Sequence, residues 1–593
     1  MINKKNILLI YPEVPQNTYW SFQYALQFTG KKSAMPPLGL ITIASYFPDD
    51  YRLKLVDLNI ESLDEADVLW ADHVYVSAMI VQKASFKKVV ATCNRLNTTV
   101  VAGGPYPTSS REKIKGVDHL VLGEVENTLP DFIAAMEDGT AERVYPPADK
   151  PAMADARVPR FDLLDMGAYA SMSIQYSRGC PFKCEFCDIW SVYGNRPRLK
   201  SATGVTAELD ALFELGWEGP VFMVDDNFIG NKKRVKTDLL PPLIDWQRSH
   251  GFVFRFFTEA SINMADDVDL LAAMRNAGFD EVFIGIETPS VEGLRETGKK
   301  QNLKLDMAAA VKTIQRHGME VMAGFIVGFD SDTDDIFDRQ VAFIQETGIP
   351  QAMVGLLTAL PGTQLYRRLE TQGRLLHAPD GNNTHANAIN FVPRMDEAVL
   401  KSGYNRILST IYDRRLKNYF SRCSRLLDNL GRTHRFGREV HFQEIKVLFK
   451  SLLRQTVAPY GYQYVKFLLR NLIRNREMFA EAVKLSVVGH HYYAITREMM
   501  KAERVSSYLD EKYAYLCRRI EAYSTLTRDR YLEKRTDIAR LLKQKQRILN
   551  KVQLKIDSLH VDFRRDLARK YAALSNKLQD LFEPLERTTI ESG

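Results

Sequence analysis

The stretch SIQYSRGCPFKCEFCDIW, residues 173–190, sets three cysteines within eight positions: Cys180, Cys184 and Cys187. A Cys-x3-Cys-x2-Cys spacing can give three thiolates to a [4Fe–4S] cluster and leave the fourth iron open, whereas an electron-transfer ferredoxin uses four. An open iron is a place where a substrate can bind and be reduced. The alternative, a zinc knuckle, needs four ligands, and His250 and Cys93 are both far off in sequence. Six cysteines in 593 residues are not a disulfide framework. Three of them crowded into one loop, in a reducing compartment, point to metal or catalysis.

Working toward the C-terminus, the run SMSIQYS that feeds the cysteine loop is the first of six strand candidates. The others are PVFMVDD (220–226), VFRFFTE (253–259), EVFIGIE (281–287), VMAGFIVG (321–328) and AMVGLLTA (352–359), with helical patterns between them. A closed eight-stranded barrel needs about 250 residues, more than this segment holds. The expectation is an incomplete (β/α)6 barrel, open on one side, over residues 151–375. In such barrels the chemistry sits at the C-terminal strand ends, and the cysteine loop follows the first strand as that rule requires. Asp225, Asp226, Asn227, Glu259 and Glu287 end other strands and would face the same mouth.

Toward the N-terminus, residues 1–150 alternate short apolar runs (NILLIYP, YRLKLVDLN, HVYVSAM, TTVVAGG, DHLVLG) with helical patterns such as SFKKVVATCNRL. Strands and helices alternating at this length imply βαβ units and a doubly wound parallel sheet. Ligands of such sheets bind beyond the carboxyl ends of the strands. Here those ends carry Pro37, Gly39, Ser77, Gly103, Gly104, Gly123 and Glu124. No GxGxxG follows the first strand, so a dinucleotide fits poorly. The glycines could equally serve turns alone.

Together the cysteine motif with Phe186 before its last cysteine, VDDNFIGN (224–231), GIETP (285–289), GFIVGFD (324–330) and LPGT (360–363) resemble the radical S-adenosylmethionine (SAM) superfamily. The domain in front resembles its cobalamin-binding class, and within that class the wording is similar to the hopanoid C-2 methylases and their relatives. The resemblance covers about residues 5–410. It implies that Cys180, Cys184 and Cys187 ligate [4Fe–4S] and that the open iron chelates SAM. It implies Phe186 near the adenine, with Asp225, Asp226, Asn227, Glu259, Glu287 and the Gly324-x-Ile326-x-Gly328 strand helping to hold SAM. The glycine-rich ends of the first domain would hold cobalamin. The implied reaction is reductive cleavage of SAM to a 5′-deoxyadenosyl radical, hydrogen abstraction from an unactivated carbon, and methyl transfer from methylcobalamin. A flavodoxin or ferredoxin would supply electrons.

One departure concerns cobalt. Methionine-synthase-type cobalamin domains carry Asp-x-His-x-x-Gly, whereas this chain reads Asp57-Leu58-Asn59-Ile60-Glu61. Bound cobalamin is therefore expected without a histidine on cobalt.

Beyond the polar stretch HAPDGNNTHANA (377–388) the composition changes, and residues 376–593 read as an all-helical C-terminal region. Residues 401–593 hold 40 of the 80 basic but only 21 of the 73 acidic side chains, a balance of +19 against −12 for the first 400. The segment 445–475 mixes apolar and basic residues as an interfacial helix on an anionic membrane does; a bundle with a basic solvated face fits equally. Nucleic acid is disfavoured, because no RNA-binding appendage or aromatic platform accompanies the charge. Residues 537–582 read as a hairpin arm or a coiled coil. The apolar stretch of MINKKNILLIYPEVP is too short for a signal peptide, and no run of 18 apolar residues occurs. The expected setting is cytoplasmic, with peripheral contact to the inner membrane. The substrate is expected to be a small molecule or lipid; the alternatives are a radical enzyme acting on a soluble natural product or peptide, a non-methylating lipid-modifying radical enzyme, and a non-catalytic cobalamin-binding scaffold.

Overall fold

The computed structural model describes residues 5–379, 381–382, 384–385, 389–430, 442–521, 523 and 534–591. Part of the polar stretch 377–388 lies outside the described residues. The chain forms two compact units, residues 1–493 and 494–593.

The first unit begins with a parallel sheet of six strands: β1 (Asn6–Tyr11), β2 (Arg52–Asp57), β3 (His73–Ser77), β4 (Thr99–Gly103), β5 (His119–Val121) and β6 (Val144–Tyr145), in the order β2-β1-β3-β4-β5-β6. β1 is apolar throughout its buried middle, Ile7 to Ile10, because helices cover both faces of the sheet. The helix Lys83–Arg95 shows how: Phe86, Val89, Val90 and Cys93 recur at helical spacing and bury on one face. The strand order reverses between β1 and β3, which opens a crevice at their carboxyl ends. β6, two residues long, is too short to show a pattern in sequence.

The second sheet contains β7 (Met172–Ile174), β10 (Pro220–Met223), β11 (Arg255–Ala260), β12 (Phe279–Glu287), β13 (Glu320–Val327) and β14 (Ala352–Leu356). All six run parallel in the order β14-β13-β12-β11-β10-β7, the partial barrel expected. Between β7 and β10 a short antiparallel ribbon, β8 (Ser177–Arg178) with β9 (Arg198–Leu199), brackets the cysteine loop. One sheet face buries Val282, Ile284, Val321 and Ala323 completely. The other face, the barrel lumen, carries Phe222, Phe257 and Phe283. At the amino ends Lys484, from a C-terminal helix, meets Glu281 (2.5 Å), Glu320 (3.3 Å) and Glu481 (2.9 Å) and floors the barrel.

Helices Glu397–Ile411 and Lys417–Leu430 continue the first unit. Asp396 caps the former through the N–H groups of Ala398 and Val399. Arg422, fully buried, donates to the carbonyls of Ile349 (2.8 Å) and Ile411 (2.9 Å) and so anchors the latter beside β14. In the second unit the end of helix Phe479–Glu521 packs with Arg535–Asp557 and Val561–Glu591. Leu541 and Leu549 share a cluster with Leu578 and Phe582, while Val552 and Ile556 meet Leu567, so the last two helices form an antiparallel hairpin. No helix among the described residues is long and apolar enough to cross a membrane.

Candidate active site

The cysteine loop leaves β8 through Gly179, whose φ of +95° belongs to the left-handed region. A Cβ there would lie 2.8 Å from the Gly194 carbonyl oxygen, so only glycine lets the loop fold back this tightly. The Gly179 N–H donates to Asp226 Oδ2 (2.7 Å) and the Cys180 N–H to the Gly194 carbonyl (3.2 Å). Two amide side chains aim at the thiols: Asn227 Nδ2 lies 3.8 Å from Cys180 Sγ and Gln301 Nε2 4.0 Å from Cys184 Sγ. N–H···S contacts of this kind tune the potential of a bound cluster. Burial raises all three thiols, and the neighbouring Lys299 ammonium pulls Cys184 back toward its thiolate. In a [4Fe–4S] cluster each thiolate takes a different iron, so three cysteines on one loop leave the fourth iron open.

The rim residues separate into two kinds. Asp225, buried, accepts from the Tyr176 N–H (2.9 Å) and the Ser177 hydroxyl (2.6 Å), so it fixes the start of the cysteine loop and does not face the mouth. Asp226, Glu259 and Glu287 stay together at the mouth. Burial pushes Glu259 up to about 7, with Asp226 and Glu287 adding repulsion. Burial likewise pushes Asp226 to about 6, against its bond from Gly179. Glu287 sits at a register shift between β12 and β13 with φ +65°, costly for a residue with a side chain, and is ion-paired with Lys299. Asn227 also bonds Ser261 Oγ (3.2 Å). Phe186 lies 6.2 Å from Phe329, ring centre to ring centre. Gly324 passes under Phe283, where an added Cβ would be 3.1 Å from the ring. Ile326 is half-buried one turn of the pleat further on, and the Gly328 N–H is taken by Asp332 Oδ2 (2.8 Å).

An ion network that no local pattern announces clamps this loop. Thr363 of LPGT caps helix Gln364–Thr371 through the Tyr366 N–H (3.0 Å). That helix carries Arg368, which bonds Glu185 between the cysteines (2.6 Å) and Asp330 after β13 (2.7 Å). Arg368→Met should therefore cost about 1–3 kcal/mol, more than an exposed pair and less than a fully buried one. Urea denaturation measures this, and a chelator should strip iron faster from the variant.

Between the first sheet and the barrel lies a cavity of about 440 Å³. All seven strand-end residues named from the sequence line it: Pro37, Gly39, Ser77, Gly103, Gly104, Gly123 and Glu124, with Asp226 and Arg178 from the barrel side. Four glycines, Gly39, Gly103, Gly104 and Gly123, leave stretches of its floor as bare backbone beside Tyr46, Tyr75 and Met79. At Gly104 (φ +86°) a Cβ would stand 2.4 Å from Ser77 Oγ. Such a floor suits a broad, flat group laid on backbone, as cobalamin would be. Glu124 is otherwise engaged: its carboxylate takes Arg198 (2.6 Å) and Arg178 (3.1 Å) across the cavity wall, and Glu126 also pairs with Arg178. No histidine is among the lining residues. Asn59, at the position of the cobalt-binding histidine, instead bonds Asp57 (2.6 Å) and the Val14 N–H (2.8 Å). His73 and His119 start β3 and β5, at the amino ends of the strands and away from the cavity at their carboxyl ends.

A cofactor cleft on a doubly wound sheet, opposed to a three-cysteine loop on a partial barrel, defines the class. The B12 binding domain family matches residues 31–133, the Radical SAM superfamily residues 174–344, and a domain of unknown function (DUF4070) residues 363–504. An uncharacterized methyltransferase of Synechocystis sp. is 44% identical over 408 residues, covering 68% of this chain and 76% of that one. The hopanoid C-2 methylase of Rhodopseudomonas palustris is 32% identical over 517 residues, 85% of this chain and 96% of its own. Among solved structures, the cobalamin-dependent SAM radical enzyme OxsB with aqua-cobalamin bound superposes with TM-score 0.54 at 15% identity, covering 86% of this chain and 81% of that one. The radical SAM methyltransferase TsrM from Kitasatospora setae, with cobalamin and [4Fe–4S] bound, gives 0.52 at 14% identity, covering 82% and 99%. The chain belongs to the family of cobalamin-dependent radical SAM methylases that includes the hopanoid C-2 methylase. It is an enzyme, and its cofactors are a [4Fe–4S] cluster, SAM and cobalamin.

Proposed function

We propose that this methylase acts on an unactivated carbon of an apolar membrane lipid of the hopanoid kind. The observation that carries the reading is the lumen below the rim. Phe222 and Phe257 stack at 4.6 Å, and Trp20 packs at 5.1 Å on Phe283. Phe257 precedes Glu259 by two residues and Phe283 is paired with Glu259, so these rings share its face of the sheet. Trp20, Phe257, Phe283, Ile326 and Met353 are only half-buried. Partly uncovered aromatic and aliphatic side chains between the polar mouth and the Lys484 floor suit a hydrocarbon skeleton. The likeness to the hopanoid C-2 methylase supports the same substrate class.

In this reading residues 1–150 hold cobalamin, 151–375 form the radical SAM barrel and 376–593 are the helical remainder. Cys180, Cys184 and Cys187 hold the cluster. Phe186, Asp226, Asn227, Glu259, Glu287 and the strand Gly324–Gly328 hold SAM, and Asp225 positions the loop from behind. Pro37, Gly39, Ser77, Gly103, Gly104 and Gly123 form the cobalamin floor, and Glu124 ties it to the barrel. The bound cofactors supply a carbon-centred radical and a transferable methyl group; the chain binds them, orients them and keeps water out. A flavodoxin or ferredoxin delivers electrons, and the enzyme works in the cytoplasm at the inner membrane.

Lipid mass spectrometry of the source organism with and without this gene tests the substrate. A lipid heavier by one methylene and absent from the deletion supports the reading; an unchanged lipid profile while the protein is made removes it. Cobalt coordination is tested separately. Electron paramagnetic resonance of the holoenzyme, reduced to cob(II)alamin, should show base-off cobalt without nitrogen coupling from the protein. Coupling to a histidine nitrogen would contradict the role given to Asn59.

A further inference from the structure

The surface of the first unit is not evenly polar. Nine of its exposed large apolar side chains fall between residues 445 and 473, on two helices, Phe442–Gln455 and Gly461–Arg474, and the turn joining them. Scattered single apolar residues are ordinary on a surface, but such a concentration marks an interaction site.

Each helix carries three rows. The inward row of the first is Ser451 and Gln455, both fully buried; that of the second is Tyr464, Phe467, Leu468 and Asn471. Ser451 and Tyr464 share a 2.8 Å hydrogen bond that joins the two helices. Turned away from those rows is an uncovered apolar row: Ile445 (53% exposed), Phe449 (62%) and Leu453 (63%) on the first helix, Tyr462 (75%) and Ile473 (78%) on the second. Val457, in the turn, is 83% exposed. Beside each apolar row runs a basic row at intervals of four: Lys446, Lys450 and Arg454, then Lys466, Arg470 and Arg474. Glu444 is the only acidic residue between 442 and 474, so the pair carries an excess of five positive charges. Arg470 spends part of its charge on Asp428 (3.0 Å), and Arg454 reaches Gln27 Oε1 (2.5 Å).

We infer that this helical hairpin is a docking surface for an anionic lipid bilayer. Apolar rows flanked by cationic rows match the layering of such a bilayer, where acyl chains lie beneath phosphate groups. A soluble protein partner would need an acidic frame around an apolar strip; a second copy of this chain would bring the same positive charge and be repelled. The surface is also linked to the lumen. Val447, on the inward side of the first helix, packs against Ala25 and Phe28, which follow Trp20 by a few residues. The inference deepens the lipid-substrate reading, yet vesicle binding is measured without the lipid substrate.

The test is flotation of the full-length holoenzyme with vesicles of phosphatidylcholine alone and of phosphatidylcholine with phosphatidylglycerol. The protein should float with the anionic vesicles, stay behind with the neutral ones, and be released by high salt. The double variant Phe449→Glu/Ile473→Glu changes two side chains that lie outside the catalytic machinery. It should lose at least about tenfold in vesicle affinity while forming 5′-deoxyadenosine at the wild-type rate. Wild type that does not float, or a variant that floats equally well, overturns the inference. So does a wild-type dimer that the variant turns into a monomer, since the rows would then be a protein interface. If the protein floats but the lipid profile of the deletion is unchanged, the docking surface stands and the substrate reading falls.

Discussion

Cys184→Ala should end the conversion of SAM to 5′-deoxyadenosine. Anaerobically reconstituted wild type should hold about four irons per cluster, and the variant markedly fewer. Cys184 is the most buried of the three cysteines and stands between Lys299 and Gln301, whose ammonium and amide both favour its thiolate. Alanine removes the proposed ligand and one of the anionic partners of Lys299, leaving Glu287 and Cys187. Because the open iron is where SAM is bound and reduced, the loss should be near-complete and appear in turnover itself, not in substrate affinity. Cobalamin should still bind, since its cavity draws on other strands. Wild-type amounts of 5′-deoxyadenosine from the variant would end the assignment of these cysteines.

The second large effect is expected at Gly39. An added Cβ there meets nothing within 4 Å, because the residue fronts the cavity. Gly39→Leu should thus fold normally, and a helical glycine replaced by a better helix former gains about 0.5–1 kcal/mol. Its side chain should occupy the space proposed for cobalamin and lower cobalamin content at least about tenfold. Methylation should be lost while cluster-dependent cleavage of SAM continues, which separates the two cofactors in one protein. Absorption spectra and product analysis read both quantities. Undiminished cobalamin in this variant would move the binding site elsewhere.

Strands buried on both faces were the most legible, because they appear as nearly unbroken apolar runs. β1 and β13 are examples. β6 escaped because two residues carry no period. The cysteine loop was legible from spacing alone, and the strand-end glycines do line one cavity. What sequence could not show is which way a polar side chain turns. Asp225 and Asp226 are neighbours with the same chemistry, yet Asp225 is spent on the Tyr176 N–H and the Ser177 hydroxyl, while Asp226 holds the Gly179 N–H and also lines the cavity. The clamp of Glu185, Asp330 and Arg368 joins residues up to 183 positions apart, beyond any local pattern. In the helices from 442 to 474 the amphipathic rows were visible, but their exposure depends on what the fold leaves uncovered.

The charges across the cavity wall also bear on how such proteins can be recombined. Glu124 and Glu126 lie in the loop after β5 of the first sheet, and Arg178 and Arg198 in the ribbon around the cysteine loop. A chimaera that takes its first 150 residues from a relative lacking these carboxylates would leave two guanidinium groups in a largely desolvated seam. Removing one side of a buried pair costs about 3–5 kcal/mol, a large part of the roughly 5–15 kcal/mol that holds a typical domain together. A graft is therefore expected to succeed only when donor and acceptor segments carry both signs.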